Sequence, residues 1–158
     1  MANHRSPGAR LLTLTVATLL MAGGCARQRN IASLKGADHF HSECQRLLES
    51  NRHPEAIENC QRVVSNFPGS TLVADAQYHL AESHFRLKDY VNASFEYQRV
   101  VDAYPTSEWA ERAKFQVGEC HFLQRRRSEL DQSETLDAIL YFRSFLEDYP
   151  DSPLAADA

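Results

Sequence analysis

The chain has 158 residues, 43% hydrophobic and 24% charged, with 6 Gly, 6 Pro, 4 Cys and a formal net charge of −4. That size allows one modest globular domain, and the mild acidity argues against a nucleic-acid binder, which needs clustered positive charge. The cysteines, Cys25, Cys44, Cys60 and Cys120, share no short Cys/His pairing of the kind zinc uses, and the glycines are too scattered for a phosphate-cradling loop.

The first predicted element is an export signal. Residues 1–10 carry Arg5 and Arg10 and no acid, residues 11–21 (LLTLTVATLLM) are apolar residues and threonines, and Ala22, Gly23 and Gly24 follow. Eleven residues at a rise of about 1.5 Å each cover only about half of a ~30 Å hydrocarbon core, so this stretch is too short to span a bilayer. From Cys25 onward 15 basic residues face 21 acidic ones, a net −6. The segment LLMAGGC resembles a bacterial lipobox. The resemblance implies a signal peptide over residues 1–24, a lipidated, palmitate-bearing Cys25, and a polar tether over residues 25–36. Ala26 after the cysteine implies the outer rather than the inner membrane. Acyl chains contribute about 0.8 kcal/mol per buried methylene, so several of them anchor a protein without any spanning helix.

The remainder repeats itself. SNFPGS, DAYPTS and EDYPDS close three segments, and Pro68 aligns on Pro105 with a shift of 37 and Pro105 on Pro150 with a shift of 45. The first shift also carries Gln61-Arg62-Val63-Val64 onto Gln98-Arg99-Val100-Val101, and Ala81-Glu82-Ser83-His84-Phe85 onto Gly118-Glu119-Cys120-His121-Phe122. Apolar residues recur at helical spacing in two blocks per unit, so each unit is two helices. In the second unit Ala76, Leu80, Ala81, His84 and Leu87 form one face, and Val91, Phe95 and later residues are expected to supply the partner face. An aromatic residue before proline ends each second helix, and Ser70 and Ser107 stand where a helix cap is wanted, with Pro153 after Ser152.

The small residue in each first helix (Cys44, Ala81, Gly118), the alanine in each second helix (Ala56, Ala93, Ala138) and the closing proline resemble the tetratricopeptide repeat. The fold expected is an all-α solenoid with repeats over about residues 37–70, 71–107 and 108–152 and the start of a fourth over 153–158. The third unit carries eight extra residues between its helices, and the ending SPLAADA matches the opening turn of another first helix, which suggests an uncapped front part of a longer array. Together with the lipobox, the inserted third unit, with Asp131, Gln132, Thr135 and Ala138 opening its second helix, resembles the BamD family. These are outer-membrane lipoproteins of the β-barrel assembly machinery. The resemblance implies a non-catalytic scaffold on the periplasmic face of the outer membrane. It also implies other machinery subunits such as BamA, and unfolded outer-membrane proteins, as partners. Two alternatives are a periplasmic coordinator resembling CpoB and the binding module of a cell-wall enzyme lipoprotein.

Outside the core arc, Tyr78 and Phe85, repeated by Phe115 and Phe122 and flanked by Glu82 and Glu119, form a candidate groove for an extended peptide or partner. The same rings are also placed to pack against a neighbouring repeat, and both readings remain open here. Cys44 and Cys60 should face each other within the first repeat, either as a disulfide or as two buried thiols, the latter being the more ordinary arrangement. His84 and His121 fall on matching core positions and are expected to be packed and hydrogen-bonded. His41, Cys44 and Cys60 converge without a fourth ligand, so neither a metal nor another cofactor is expected. Arg125-Arg126-Arg127 is a solvated run or a contact for headgroups or an acidic partner. No nucleophile–base set or carboxylate pair stands at a useful spacing, and no enzyme is expected.

Overall fold

The computed structural model describes residues 36–124 and 133–158. The export signal, Cys25, the tether up to residue 35, the arginine run and Asp131-Gln132 lie outside these residues. Among the described residues six helices follow one another: α1 (Ala37–Glu49), α2 (His53–Asn66), α3 (Val73–Arg86), α4 (Tyr90–Ala103), α5 (Ala110–Gln124) and α6 (Ser133–Asp148). Each packs on the next, and α1 also touches α3. There is no strand among the described residues. The chain is therefore an all-α stack of three helix pairs.

The turns show why the repeat is regular. Within the first two pairs, Asn51 (φ 57°) and Lys88 (φ 60°) occupy the left-handed region at positions 37 apart. The amides of Arg52 and Asp89 reach back to the carbonyls of Leu47 and His84, and those of Asn51 and Lys88 to Leu48 and Phe85. This double closure is a Schellman ending, and it satisfies carbonyls the helix end would otherwise leave open. Asp89 then caps α4, its carboxylate accepting from the Asn92 amide at 3.5 Å and from the Asn92 side chain at 2.7 Å. These bonds, the Asn92 side chain first, hold the Asp89 carboxyl below its ordinary range.

Between pairs, the pre-proline residues Phe67 and Tyr104 leave the α region (φ −132° in both) and close the second helices. Ser70 and Ser152 accept from the amides two residues on, Leu72 and Leu154, at 3.2 and 3.0 Å. Here the structure corrects the expected caps. The serines close a turn ahead of the helix, and α3 begins at Val73 with Leu72 at its cap position. Ser107 Oγ is buried with no hydrogen-bond partner among the described residues. After Ser152 the chain forms turns up to Asp157.

The crossing of first and second helix is filled in three different ways at equivalent positions. In the first pair Cys44 is bonded to Cys60, with Cα atoms 5.4 Å apart, a separation within the disulfide range. In the second pair Ala81 makes room for Tyr97, which is fully buried in the same cluster. In the third pair Gly118 admits the ring of Phe142: a Cβ built on Gly118 would lie 2.9 Å from Phe142 Cδ1 and Cε1. Gly118→Val should therefore cost about 1–3 kcal/mol through overpacking, read as a lower urea midpoint at unchanged slope. An unchanged midpoint would mean that α6 yields freely.

Two expected core faces change. Val91 and Phe95 are 65% and 62% exposed, and the partner face of α4 is instead Ala93, Tyr97 and Val100, all fully buried. The arc on α3 is wider than expected, because Val73, Gln77, Tyr78 and Ser83 are buried too, while Leu87 at its end is exposed. A first helix in a stack touches its own partner and its neighbours, so one stripe cannot describe it.

Candidate functional site

The first helices border an open groove of about 380 Å³. Its lining comes from the turn within the first pair (Leu48, Asn51, His53), from α3 (Tyr78, His79, Glu82, Arg86) and from the entry to α5 (Trp109, Arg112). Tyr78 and Trp109 stack face to face with centroids 4.2 Å apart and planes at 19°. Tyr78 is only 4% exposed. Burial pushes its hydroxyl up to about 12, so it stays a neutral donor at neutral pH.

Charge is placed with equal care along the groove. Glu82 accepts from Arg86 Nε at 2.7 Å and from the hydroxyl of buried Tyr97 at 2.8 Å. Glu119 stands near Glu82, Arg86 and Arg112. Burial raises its carboxyl above the ordinary range, a hydrogen bond from Gln116 opposes this, and the charge of Glu82 adds to the rise. Arg112 is solvent-exposed. The lining thus offers aromatic area, an acid held in place by Arg86 and a second cation, Arg112. Two ring nitrogens of lining residues, His53 Nδ1 and Trp109 Nε1, are buried and have no hydrogen-bond partner among the described residues.

The six residues expected to form one aromatic–acidic row do not share one face. Tyr78 and Glu82 line the groove and Glu119 adjoins it. Phe85 packs edge-on against Tyr90 and Tyr97. Phe115 is 9% exposed, wedged against Phe142 and Phe145 of α6. Phe122 is 41% exposed and lines a separate cleft with Thr135, Ala138 and Ile139. The correction has a simple cause. Helical angle alone does not say what covers a ring: Tyr78 meets Tyr97 of its own partner helix and Trp109 from the next repeat, while Phe115 is covered by its own partner, α6. Trp109, Arg112 and His79 were the missed contributors; Trp109, the chain's one tryptophan, was the available signal.

His84 and His121 are half-buried, and each pairs with an acid opening the following helix: His84 Nδ1 with Asp89 at 3.1 Å and His121 Nδ1 with Glu134 at 2.9 Å. His121 also stacks on Tyr141, centroids 4.8 Å apart. Cys120 is a free buried thiol, and burial pushes its pKa well above the ordinary thiol range, so it is unreactive as a nucleophile. With Cys44 and Cys60 bonded to each other, the expected meeting of His41 with two thiols does not occur. His41 turns instead to Asp75.

Three stacked helix pairs with small residues at each crossing and a groove along the first helices define a tetratricopeptide-like repeat protein. The chain belongs to the YfiO family of outer membrane lipoproteins, whose profile matches residues 35–158. No curated protein matches the chain. No described helix is long and apolar enough to cross a membrane.

Proposed function

We propose that this outer membrane lipoprotein is a non-catalytic scaffold of β-barrel assembly, lipid-anchored through Cys25 on the periplasmic face. Its groove receives extended segments of unfolded outer-membrane proteins or of a machinery subunit such as BamA. Family membership supports the outer-membrane setting. The observation that carries the binding role is the groove itself, with Tyr78 and Trp109 stacked beside Glu82 and Arg112.

An extended chain suits this lining for physical reasons. Its side chains alternate, so apolar ones meet the aromatic wall while polar ones meet Glu82 and Arg112. Rigid rings add contact area at small entropic cost.

The role is tested by depletion in the native cell. Loss of the protein should lower the amount of folded β-barrel in the outer membrane, and restoring it with Cys25→Ala, which removes the anchor, should rescue poorly. Normal barrel levels after full depletion would contradict the proposal.

A further inference from the structure

A second cluster of chemistry lies between α1 and α3, beside the groove. His41 on α1 and Asp75 and His79 on α3 bring two imidazole nitrogens and a carboxylate oxygen within 4.8 Å of one another. Asp75 and His79 are one helical turn apart, which puts both on one face. His79 Nε2 lies 3.3 Å from Asp75 Oδ1, and His41 Nε2 pairs with Asp75 Oδ2. Gln45 Nε2 donates to the same Oδ2 at 3.4 Å.

We propose that His41, Asp75 and His79 bind one zinc ion, which ties the first repeat to the second. Two imidazoles, one carboxylate and an open fourth position for water are a recognised zinc donor set. Calcium and magnesium prefer all-oxygen shells, which this cluster does not provide. Gln45 acts as the orienting partner such carboxylates usually have. The ligand side chains are 11%, 20% and 17% exposed for His41, Asp75 and His79. This leaves a path for the ion and one water while keeping the cluster out of bulk solvent.

The site is also held in place before any ion arrives. Cys44, one turn from His41, is bonded to Cys60, and Ala76 and Leu80 fix the buried face of α3. The ion therefore adds to a formed fold, unlike a zinc finger that is unfolded without it. A simple Asp75 bridge between two imidazoles is the competing arrangement, and it predicts no response to metal.

The experiment is thermal unfolding of the purified full chain titrated with zinc chloride, alongside equilibrium dialysis for stoichiometry. Zinc at a hundredfold above its dissociation constant should raise the folding constant about a hundredfold. His79→Gln should abolish that response, and Gln45→Ala should weaken binding about tenfold. His121→Gln, which removes the imidazole of a second, less buried group with Glu134 and Asp137, should leave the response intact. His79 sits partly open, so its variant is the one to read if His41→Gln fails to fold. A melting temperature indifferent to zinc, or a shift undiminished in His79→Gln, overturns the proposal. So does a shift lost only in His121→Gln.

Discussion

Reduction of the Cys44–Cys60 bond should lower the unfolding free energy by about 3 kcal/mol, the loop-closure value for a span near 15 residues. The bond joins residues 16 apart and ties α1 to α2, so the loss should appear as a lower urea midpoint for the reduced chain. The double variant Cys44→Ala/Cys60→Ala should show a similar midpoint and no further response to reductant. Non-reducing peptide mapping checks the bond directly. Two alkylatable thiols at these positions, with a midpoint indifferent to reductant, would show that the oxidised pair does not form. The first pair has particular use for such a bond. Where the second pair packs Tyr97 over Ala81 and the third packs Phe142 over Gly118, the first has two small side chains, and the covalent link replaces aromatic packing.

Tyr97→Ala should be the most damaging single substitution, at about 3–5 kcal/mol by analogy with other buried rings cut to alanine. Tyr97 is fully buried, meets Tyr78 and Phe85 ring to ring, and donates to Glu82 at 2.8 Å. Tyr97→Phe separates the two contributions. It keeps the ring and removes the donor, for about 1 kcal/mol, because Glu82 retains Arg86 and partial access to solvent. Equal losses in both variants would put the whole effect on the hydroxyl and contradict the packing account. Because Glu82 lines the groove, Tyr97→Phe should also free that carboxylate to move, and peptide binding should weaken while the fold survives.

Much of this architecture was legible in the sequence. Matching Phe-Pro and Tyr-Pro endings and the shift of 37 gave the helix pairs, because proline and the small residues at helix crossings impose local constraints any reader can count. Elements that depend on a neighbour were not legible. Tyr78 and Phe115 sit at one angle on their helices, and that angle does not say whether the partner helix or the next repeat covers them. What covers them is Trp109 in one case and α6 in the other. Val91 and Phe95 mislead in the opposite sense: Ala93, Tyr97 and Val100 have the same period, and the small alanine marks the true contact. The Asp75 cluster was hidden for a similar reason, since its third member, His41, comes from another helix 34 residues away.

The groove as a binding surface for extended chains is tested most directly by site-specific photo-crosslinking. A benzophenone side chain placed at Arg112, which is exposed on the groove, is compared with one at Val91, which is 65% exposed on α4 and is not among the groove-lining residues. Crosslinks to unfolded outer-membrane protein should form from position 112 and not from 91, and Trp109→Ala in a chain of unchanged helicity should abolish them. Equal crosslinking from both positions, or none from 112, would contradict the groove.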